Sequence, residues 1–412
     1  MIHVDFRQVV YALSNALDLV GVDDVAHGKR VGVMSAECGK ALGLPRDEVQ
    51  TLFDLGLLHD IGVSTTTAHQ HLVTEFDWAG SQEHTVVGYD LLKGFAPLAH
   101  LAQPIHYHHT RWDQLVAQGV DPQVRQQANL TLLADRVDAM ASSHYAKGEV
   151  LQHAKGIRHE IEIRSGTYFD PALVDAFLKV SAHEAFWLYL EPTALGEYVQ
   201  DMLAQGTPID ANNDQMLQLA RIFSNIVDAK SRFTAAHSQG VARVARRLGE
   251  LLGLDADRCD ELEIAGLLHD LGKLRVPDAI LEKPAPLDDN ERMIMNTHSF
   301  ETMQILRKIR GFESIAAWAA DHHEAPGGKG YPHGVDGAAL PLEARILRVA
   351  DIFQAMVQDR PYRKGLTAEA VADFMLQQTE RGALDVSISA LLLAHLAEMI
   401  QVARQEPQGL SS

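Results

Sequence analysis

The chain has 412 residues, 46% of them hydrophobic and 22% charged, which is typical of a folded globular protein and predicts two domains of roughly 200 residues. The net charge of −19 argues against binding to DNA, RNA polymers or anionic membranes, because such binding needs a broad basic surface. The two cysteines cannot form a disulfide framework, and no signal peptide or bilayer-length apolar run is visible, so we expect a cytoplasmic protein that does not contact a membrane.

The first predicted element is an amphipathic helix at the N-terminus. Its apolar residues follow the spacing of a buried helical stripe: Phe6, Val9, Val10, Leu13 and Leu17. Similar helical patterns continue along most of the chain, and sustained strand-type alternation is absent. The sequence therefore predicts an all-α protein.

Potential metal ligands follow this helix in the first half of the chain. They are His27, His59, Asp60, His84, His108, His109 and Asp135. Prolines and glycines then interrupt the helical pattern between Glu191 and Pro208, which indicates a boundary between domains. We therefore expect domains at residues 1–200 and 201–412.

The second half repeats the first. The segment Ser14–Asp18 returns as Ser224–Asp228, and Leu57–Asp60 returns as Leu267–Asp270. The same ligand types then recur in the same order, as His237, His269, Asp270, His298, His322, His323 and Asp351. A single histidine on an apolar helix is more often a packed residue than a ligand, but packing gives no reason to keep five histidines and two aspartates in order. We interpret the repeat as two homologous domains with metal-binding residues.

The adjacent pair His269-Asp270 follows an apolar helical segment. Successive residues of a helix point about 100° apart, so His269 can bind one ion while Asp270 bridges to a second. Gly272 follows where the helix would end, and we interpret it as a glycine C-cap. Mixed imidazole and carboxylate ligation favours Fe, Mn, Zn or Ni over Mg or Ca.

Four segments of the second half resemble the motifs of the HD-GYP phosphodiesterases, a branch of the HD metallohydrolase superfamily. They are His269–Lys273, His322–Glu324, Gly330–Pro332 and Arg360–Arg363, and the resemblance covers residues 215–400. It implies two tandem HD-type helical bundle domains, of which the second hydrolyses cyclic di-GMP or 3′,3′-cyclic GMP-AMP. The product would be a linear dinucleotide, and a second round would give mononucleotides. The implied cofactors are two divalent metal ions, preferably Fe or Mn, with Ni or Zn as alternatives.

The resemblance also implies roles for individual residues. The seven ligand-type residues of the second half would hold the metal ions, and Asp270 and Lys273 would take part in catalysis. Lys273, Tyr331, Arg360 and Arg363 would bind the substrate. A lysine ammonium can lie against a phosphate oxygen, and an arginine presents a planar fork for the same purpose.

Two departures from the family pattern affect these expectations. Some members carry a glutamate for a third metal ion where this chain has Phe233, so we expect two ions. The residues Pro326–Lys329 replace the usual Trp-Asp-Gly before Gly-Tyr-Pro. This change lies beside the loop implied in base recognition and leaves the choice between the two cyclic dinucleotides open.

The first half keeps the ligand types but not the substrate-binding residues. Asp23 even stands at the third-metal position, yet Val63 replaces the lysine and Thr110 the glutamate after the histidine pair. We rank three interpretations: a metal-bound regulatory domain, then a metal-free structural relic, then a second enzyme with different specificity. The first domain would make contacts with the second domain or with another copy of the chain.

Two other functions remain open from the sequence. One is an HD phosphohydrolase acting on a nucleotide or an alarmone, against which the Gly-Tyr-Pro and Arg-Pro-Tyr-Arg segments argue. The other is a non-catalytic cyclic-dinucleotide receptor, which would have lost a ligand or Lys273. Neither loss has occurred in the second half.

Overall fold

The computed structural model describes residues 4–20, 26–63, 65–74, 76, 80–205, 210–230, 237–335, 337–359 and 364–405. These residues are almost entirely helical, as predicted. They form two compact units: Leu17–Pro208, here called the N-terminal unit, and Met1–Ala16 with Ile209–Ser412, here called the C-terminal unit.

The N-terminal unit contains eleven of the described helices. They are α2 (His27–Ala41), α3 (Arg46–Leu58), α4 (Thr66–Thr74), α5 (Gln82–Leu92), α6 (Ala99–Tyr107), α7 (Trp112–Ala117), α8 (Pro122–Tyr145), α9 (Val150–Glu162), α10 (Pro171–Val180), α11 (Glu184–Leu188) and α12 (Pro192–Gln205). Asp121 is the N-cap of helix α8, and its carboxylate accepts hydrogen bonds from the backbone N–H groups of Gln123 and Val124. Pro122 occupies the first helical position.

The C-terminal unit includes the first helix, α1 (Phe6–Leu17), apart from its last residue. Its other helices are α13 (Asn213–Ala229), α14 (His237–Leu251), α15 (Ala256–Leu268), α16 (Asp278–Leu281), α17 (Asp289–Leu306), α18 (Glu313–Ala320), α19 (Leu342–Val357), α20 (Ala368–Glu380), α21 (Val386–Ala394) and α22 (Leu396–Arg404). Three short 3-10 helices complete it: Leu271–Arg275, Asp321–His323 and Gly337–Ala339.

The position of α1 differs from the sequence-based division at residue 200. The strand β1 (Val4–Asp5) pairs with β2 (Asp210–Ala211), and Val4 lies opposite Ala211. This antiparallel pair ties the start of α1 to the segment before α13, so α1 belongs with the C-terminal half. The predicted apolar stripe of α1 is buried along its length, from Phe6 (3% exposed) to Leu17 (8% exposed).

Corresponding pairs of helices pack against each other in the two units. Helix α2 packs on α3, and α14 packs on α15. Small residues permit the close approach, because a Cβ on Gly56 would lie 2.3 Å from the Cα of Gly32, and a Cβ on Gly266 would lie 2.8 Å from the Cα of Ala242. This packing brings His27 next to the end of α3, which His59 and Asp60 follow. It likewise brings His237 next to the end of α15, which His269 and Asp270 follow.

Among the described residues, no single helix has the length and apolar composition of a membrane span. Helices α21 and α22 meet those criteria only as a pair, and they are bent by 86° where they join.

Candidate metal centre

The seven ligand-type residues of the second half lie together in the C-terminal unit. His237 begins α14, His269 and Asp270 follow α15, His298 lies in α17, His322 and His323 lie in the 3-10 helix after α18, and Asp351 lies in α19. His323 and Asp351 are half-buried and the others are buried. Five separate elements therefore contribute to one cluster.

The cluster divides into two groups of ligand atoms with one carboxylate between them. His237, His269 and Asp351 form one group and His298, His322 and His323 form the other, with the ligand atoms of each group within 4.8 Å of one another. The Oδ2 atom of Asp270 is 3.2 Å from His269 Nε2, and its Oδ1 atom is 3.5 Å from His298 Nε2. Asp270 thus faces both groups, as expected of a bridging ligand.

Backbone contacts orient three of the imidazoles. His269, His298 and His322 each place Nδ1 against the carbonyl oxygen three residues earlier: Gly266 (2.7 Å), Met295 (2.6 Å) and Ala319 (2.6 Å). Such contacts fix the ring and direct Nε2 into the cluster, which is the usual outer support of a metal-bound histidine. His237 instead places Nδ1 3.3 Å from the amide oxygen of Gln358.

The residues fit a pair of divalent metal ions. Asp270 Oδ1 and His269 Nε2 are buried without a hydrogen-bond partner, a costly state that an ion would relieve. Burial lowers the pKa of His298 to about 4, and burial together with His298 lowers the pKa of His323 to about 3, so both are neutral and able to ligate at pH 7. Although burial opposes both shifts, the attraction between His269 and Asp270 raises the pKa of His269 to about 9 and, together with Lys273, holds the pKa of Asp270 well below its usual value, so an ion would have to displace the His269 proton.

Lys273 lies at the edge of this cluster. It belongs to the 3-10 helix Leu271–Arg275, and its Nζ atom is 2.5 Å from Asp270 Oδ2. Burial lowers the pKa of Lys273, but the carboxylates of Asp270, Asp351 and Asp228 together raise it more, so the net pKa lies above its ordinary value and the group is a cation. The structure therefore places a positive charge directly beside the bridging carboxylate.

Tyr331 also lies at the cluster, because its ring stacks on His323 with centroids 4.7 Å apart and planes 29° from parallel. Glu324 supports the loop that carries it, and this role was missed from the sequence. The buried Glu324 carboxylate accepts hydrogen bonds from the backbone N–H groups of His333 (2.7 Å), Gly334 (3.0 Å) and Val335 (3.0 Å). A glutamate next to a ligand pair and before a glycine-rich loop is the signal that could have revealed it.

Gly272 has a different role from the C-cap that its position suggested, so that interpretation was wrong. Helix α15 ends at Leu268, Gly272 lies inside the following 3-10 helix, and its φ is not positive. A Cβ on Gly272 would lie 2.1 Å from the carbonyl oxygen of His298. The glycine is needed because α17 crosses this turn in contact with it.

The ligand-type residues of the first half converge in the same way within the N-terminal unit. One group is His27, His59 and Asp135, and the other is Asp60, His84, His108 and His109. Four other residues considered from the sequence lie outside the described residues: Asp23, Phe233, Arg360 and Arg363.

The chain matches known families and proteins over nearly its whole length. Residues 25–142 and 221–388 each match a family described as an HD domain. The chain is 35% identical to 3′3′-cGAMP-specific phosphodiesterase 1 of Vibrio cholerae over 98% of this chain and 95% of that protein. It is 35% identical to phosphodiesterase 3 of the same specificity and organism, over 67% of this chain and 58% of that protein.

A cyclic di-GMP phosphodiesterase response regulator of Xanthomonas campestris is 34% identical over 50% of this chain and 54% of its own length. Among solved structures, the crystal structure of a cyclic GMP-AMP specific phosphodiesterase of V. cholerae superimposes with a TM-score of 0.66 at 26% identity. That match covers 96% of this chain and 98% of the other.

Proposed function

Because the chain belongs to the family of tandem HD-domain phosphodiesterases that hydrolyse cyclic dinucleotides, we propose that it cleaves 3′,3′-cyclic GMP-AMP in preference to cyclic di-GMP at the C-terminal cluster. The relative that matches 98% of the chain is specific for the mixed dinucleotide, whereas the Xanthomonas cyclic di-GMP enzyme matches 50% of it. The product would be a linear dinucleotide.

The observation that carries this assignment is the position of Asp270 between two histidine groups, with Lys273 beside it. Asp270 Oδ1 and Oδ2 face different groups, and Lys273 Nζ is 2.5 Å from Oδ2. When bound there, a pair of divalent ions lowers the pKa of water and neutralises charge on phosphoryl oxygens. The imidazole and carboxylate ligands favour Fe or Mn, with Ni or Zn as alternatives.

The chain's own groups would bind and orient the phosphodiester. The Lys273 ammonium lies at the edge of the ligand cluster, beside Asp270. From there it can turn to a non-bridging phosphate oxygen as negative charge develops on that oxygen. Tyr331 is held by its stacking on His323 and presents an aromatic ring where a nucleobase can pack. These two groups act on the substrate, whereas the seven ligand residues act through the ions.

The N-terminal cluster is the weaker candidate for this reaction. Val63 stands where Lys273 stands in the C-terminal unit, so no ammonium lies beside Asp60 from that position. A lost charge-assisted contact to the phosphate would cost about 1.5–3 kcal/mol. We therefore assign cyclic-dinucleotide hydrolysis to residues 201–412 and not to residues 1–200.

The substrate is a small molecule, and the net charge of −19 disfavours DNA or RNA polymers and anionic membranes as partners. A cytoplasmic location agrees with Cys38 and Cys259, which are buried free thiols.

Purified protein loaded with Mn(II) or Fe(II) should hydrolyse 3′,3′-cyclic GMP-AMP at least about tenfold more efficiently than cyclic di-GMP, a difference of about 1.4 kcal/mol in transition-state binding. The measurement is kcat/KM for each substrate, with products separated by chromatography. Faster hydrolysis of cyclic di-GMP would overturn the preference. Absence of turnover of either substrate would favour a silent receptor or a phosphohydrolase with another nucleotide substrate.

Glu324→Gln should raise KM for the cyclic dinucleotide several-fold and change kcat less. The amide is neutral and has one acceptor oxygen, so all three backbone N–H groups that Glu324 now satisfies lose a charged acceptor, and at least one of them loses its acceptor altogether. The loop that carries Tyr331 then loses its anchor, while the metal ligands stay in place. Steady-state kinetics with metal content measured in parallel test this, and loss of bound metal with unchanged KM would contradict it.

A further inference from the structure

We propose that the N-terminal unit holds its own pair of divalent first-row transition metal ions, bridged by Asp60, as a metal centre separate from the catalytic one. The ligand atoms form two groups, each within 4.8 Å: His27, His59 and Asp135, and Asp60, His84, His108 and His109. Five imidazoles and two carboxylates supply enough ligands for two ions.

Asp60 has the geometry of a bridge. Its Oδ2 atom is 3.4 Å from His59 Nε2 and 3.8 Å from His27 Nε2. Its Oδ1 atom is 3.3 Å from His84 Nε2 and 3.8 Å from His108 Nε2. Each oxygen of one carboxylate therefore faces a different set of imidazoles, as Asp270 does in the C-terminal unit.

The outer support of this centre includes a charged network. His27 Nδ1 is 2.8 Å from the carboxylate of Asp138, and Arg30 donates to both oxygens of Asp138 at 2.6 and 2.9 Å. A carboxylate behind a histidine orients the ring and strengthens it as a metal ligand. The corresponding histidine of the C-terminal unit, His237, has the neutral Gln358 in this place. A relic that no longer binds metal has no need for such an arrangement.

The two carboxylate oxygens of Asp135 make different contacts. Oδ1 faces His27 Nε2 at 3.4 Å, while Oδ2 accepts a hydrogen bond from Arg136 at 2.7 Å. Arg136 is itself held by the carbonyl oxygens of Leu72 and Phe76. One oxygen of Asp135 is therefore engaged by the protein and the other is left to an ion.

Three buried atoms of these side chains lack a hydrogen-bond partner, namely Asp60 Oδ1, His109 Nε2 and His84 Nδ1, and the first two of them face the cluster. Leaving such atoms unsatisfied costs about 1–3 kcal/mol each, which a bound ion would offset. Apart from the ligand-type residues, the cavity beside the cluster is lined by Leu17, Val20, Leu57 and Val63 together with Asp18, Gly28 and His69, and none of these residues is a lysine. The centre thus has the ligands for metal without the lysine that the catalytic site offers to a phosphate.

Metal counting on the full chain tests the proposal directly. Protein loaded with Mn(II) alone and desalted should contain four ions by elemental analysis, of which Asp60→Ala and Asp270→Ala should each lose two. The double variant should contain none. A wild-type chain with two ions, unchanged by Asp60→Ala, would overturn the N-terminal centre. Retention of all ions by Asp270→Ala would instead contradict the role of Asp270 as a bridging ligand of the C-terminal centre, so the two failures are distinguishable.

A second measurement distinguishes the loss of a ligand from the misfolding of a variant. Asp60→Asn keeps the shape of the side chain but removes the bridging charge, and circular dichroism reports whether the helices persist. In Mn(II)-loaded Asp270→Ala, electron paramagnetic resonance should show the coupled signal of a manganese pair, and Asp60→Asn added to that variant should remove it. A folded Asp270→Ala chain with only isolated Mn(II) signals would refute the shared bridge.

A control variant comes from another group of candidate metal-ligand side chains, His144, Glu149 and His153. The imidazoles of His144 and His153 stack with centroids 3.6 Å apart and planes 8° from parallel, so their in-plane lone pairs do not converge on one ion. His153→Ala should leave the metal count unchanged. A lower metal content in His153→Ala would show that some of the counted ions bind at the surface. Those ions would then not support the N-terminal centre.

Discussion

Asp270→Ala is expected to reduce cyclic-dinucleotide hydrolysis by about a thousandfold or more. Asp270 faces both histidine groups, so its removal would take a ligand from both of the proposed ions at once. Loss of an outer partner of a metal ligand alone costs about 10- to 100-fold, and loss of the shared ligand should cost more. The change also leaves the Lys273 ammonium without the carboxylate that now lies 2.5 Å away.

The matched control is Asp60→Ala, which removes the equivalent carboxylate of the N-terminal unit and should retain most of the turnover. Both variants need initial-rate measurements with 3′,3′-cyclic GMP-AMP at saturating Mn(II). If Asp60→Ala were the inactive variant and Asp270→Ala the active one, hydrolysis would belong to the N-terminal unit. That result would reverse the domain assignment.

Lys273→Met should lower kcat/KM by about 10- to 150-fold while the protein keeps its metal ions. The range corresponds to the loss of about 1.5–3 kcal/mol from a charge-assisted contact to phosphate. Methionine preserves much of the length and apolar stem of lysine but carries no charge. Because Asp270 loses its ion-pair partner, its carboxylate becomes more available to metal, and metal affinity should not fall.

The comparison variant for this test is Lys283→Met. Lys283 pairs with Glu291 at the start of α17, and the described structure places neither residue in the ligand cluster. It should keep nearly full activity. If Lys273→Met lost metal in proportion to activity, Lys273 would be a support for the bridging carboxylate and not a group that acts on the substrate.

The family and the reaction could be predicted from the sequence because they depend on residue types in a fixed order. The all-α class and the tandem HD domains are confirmed by the structure and by the two HD domain matches. Cyclic-dinucleotide hydrolysis is confirmed by the relatives, of which one matches 98% of the chain. The competing hypothesis of a nucleotide or alarmone phosphohydrolase receives no support from them.

Other features could not be obtained from sequence order. The C-cap interpretation of Gly272 was wrong because the constraint comes from the His298 carbonyl oxygen, 26 positions away in the chain and 2.1 Å from an added Cβ. Glu324 was read only as part of a motif, although its carboxylate holds three backbone N–H groups of the loop. Asp138 was missed because its partner His27 is distant in sequence.

The sequence by itself identified the candidate metal ligands, since ligand chemistry is a property of residue type and the repeat shows the same types twice. It also separated the two halves, because Lys273 has Val63 as its counterpart. Only the tertiary structure decided how those ligands divide into two groups about Asp270 and Asp60, and which outer residues orient them. These are matters of distance between elements far apart in the chain, which side-chain periodicity does not encode. Those distances follow from the packing of several elements, among them α14 on α15 and α19 in the C-terminal unit, and α2 on α3 and α8 in the N-terminal unit.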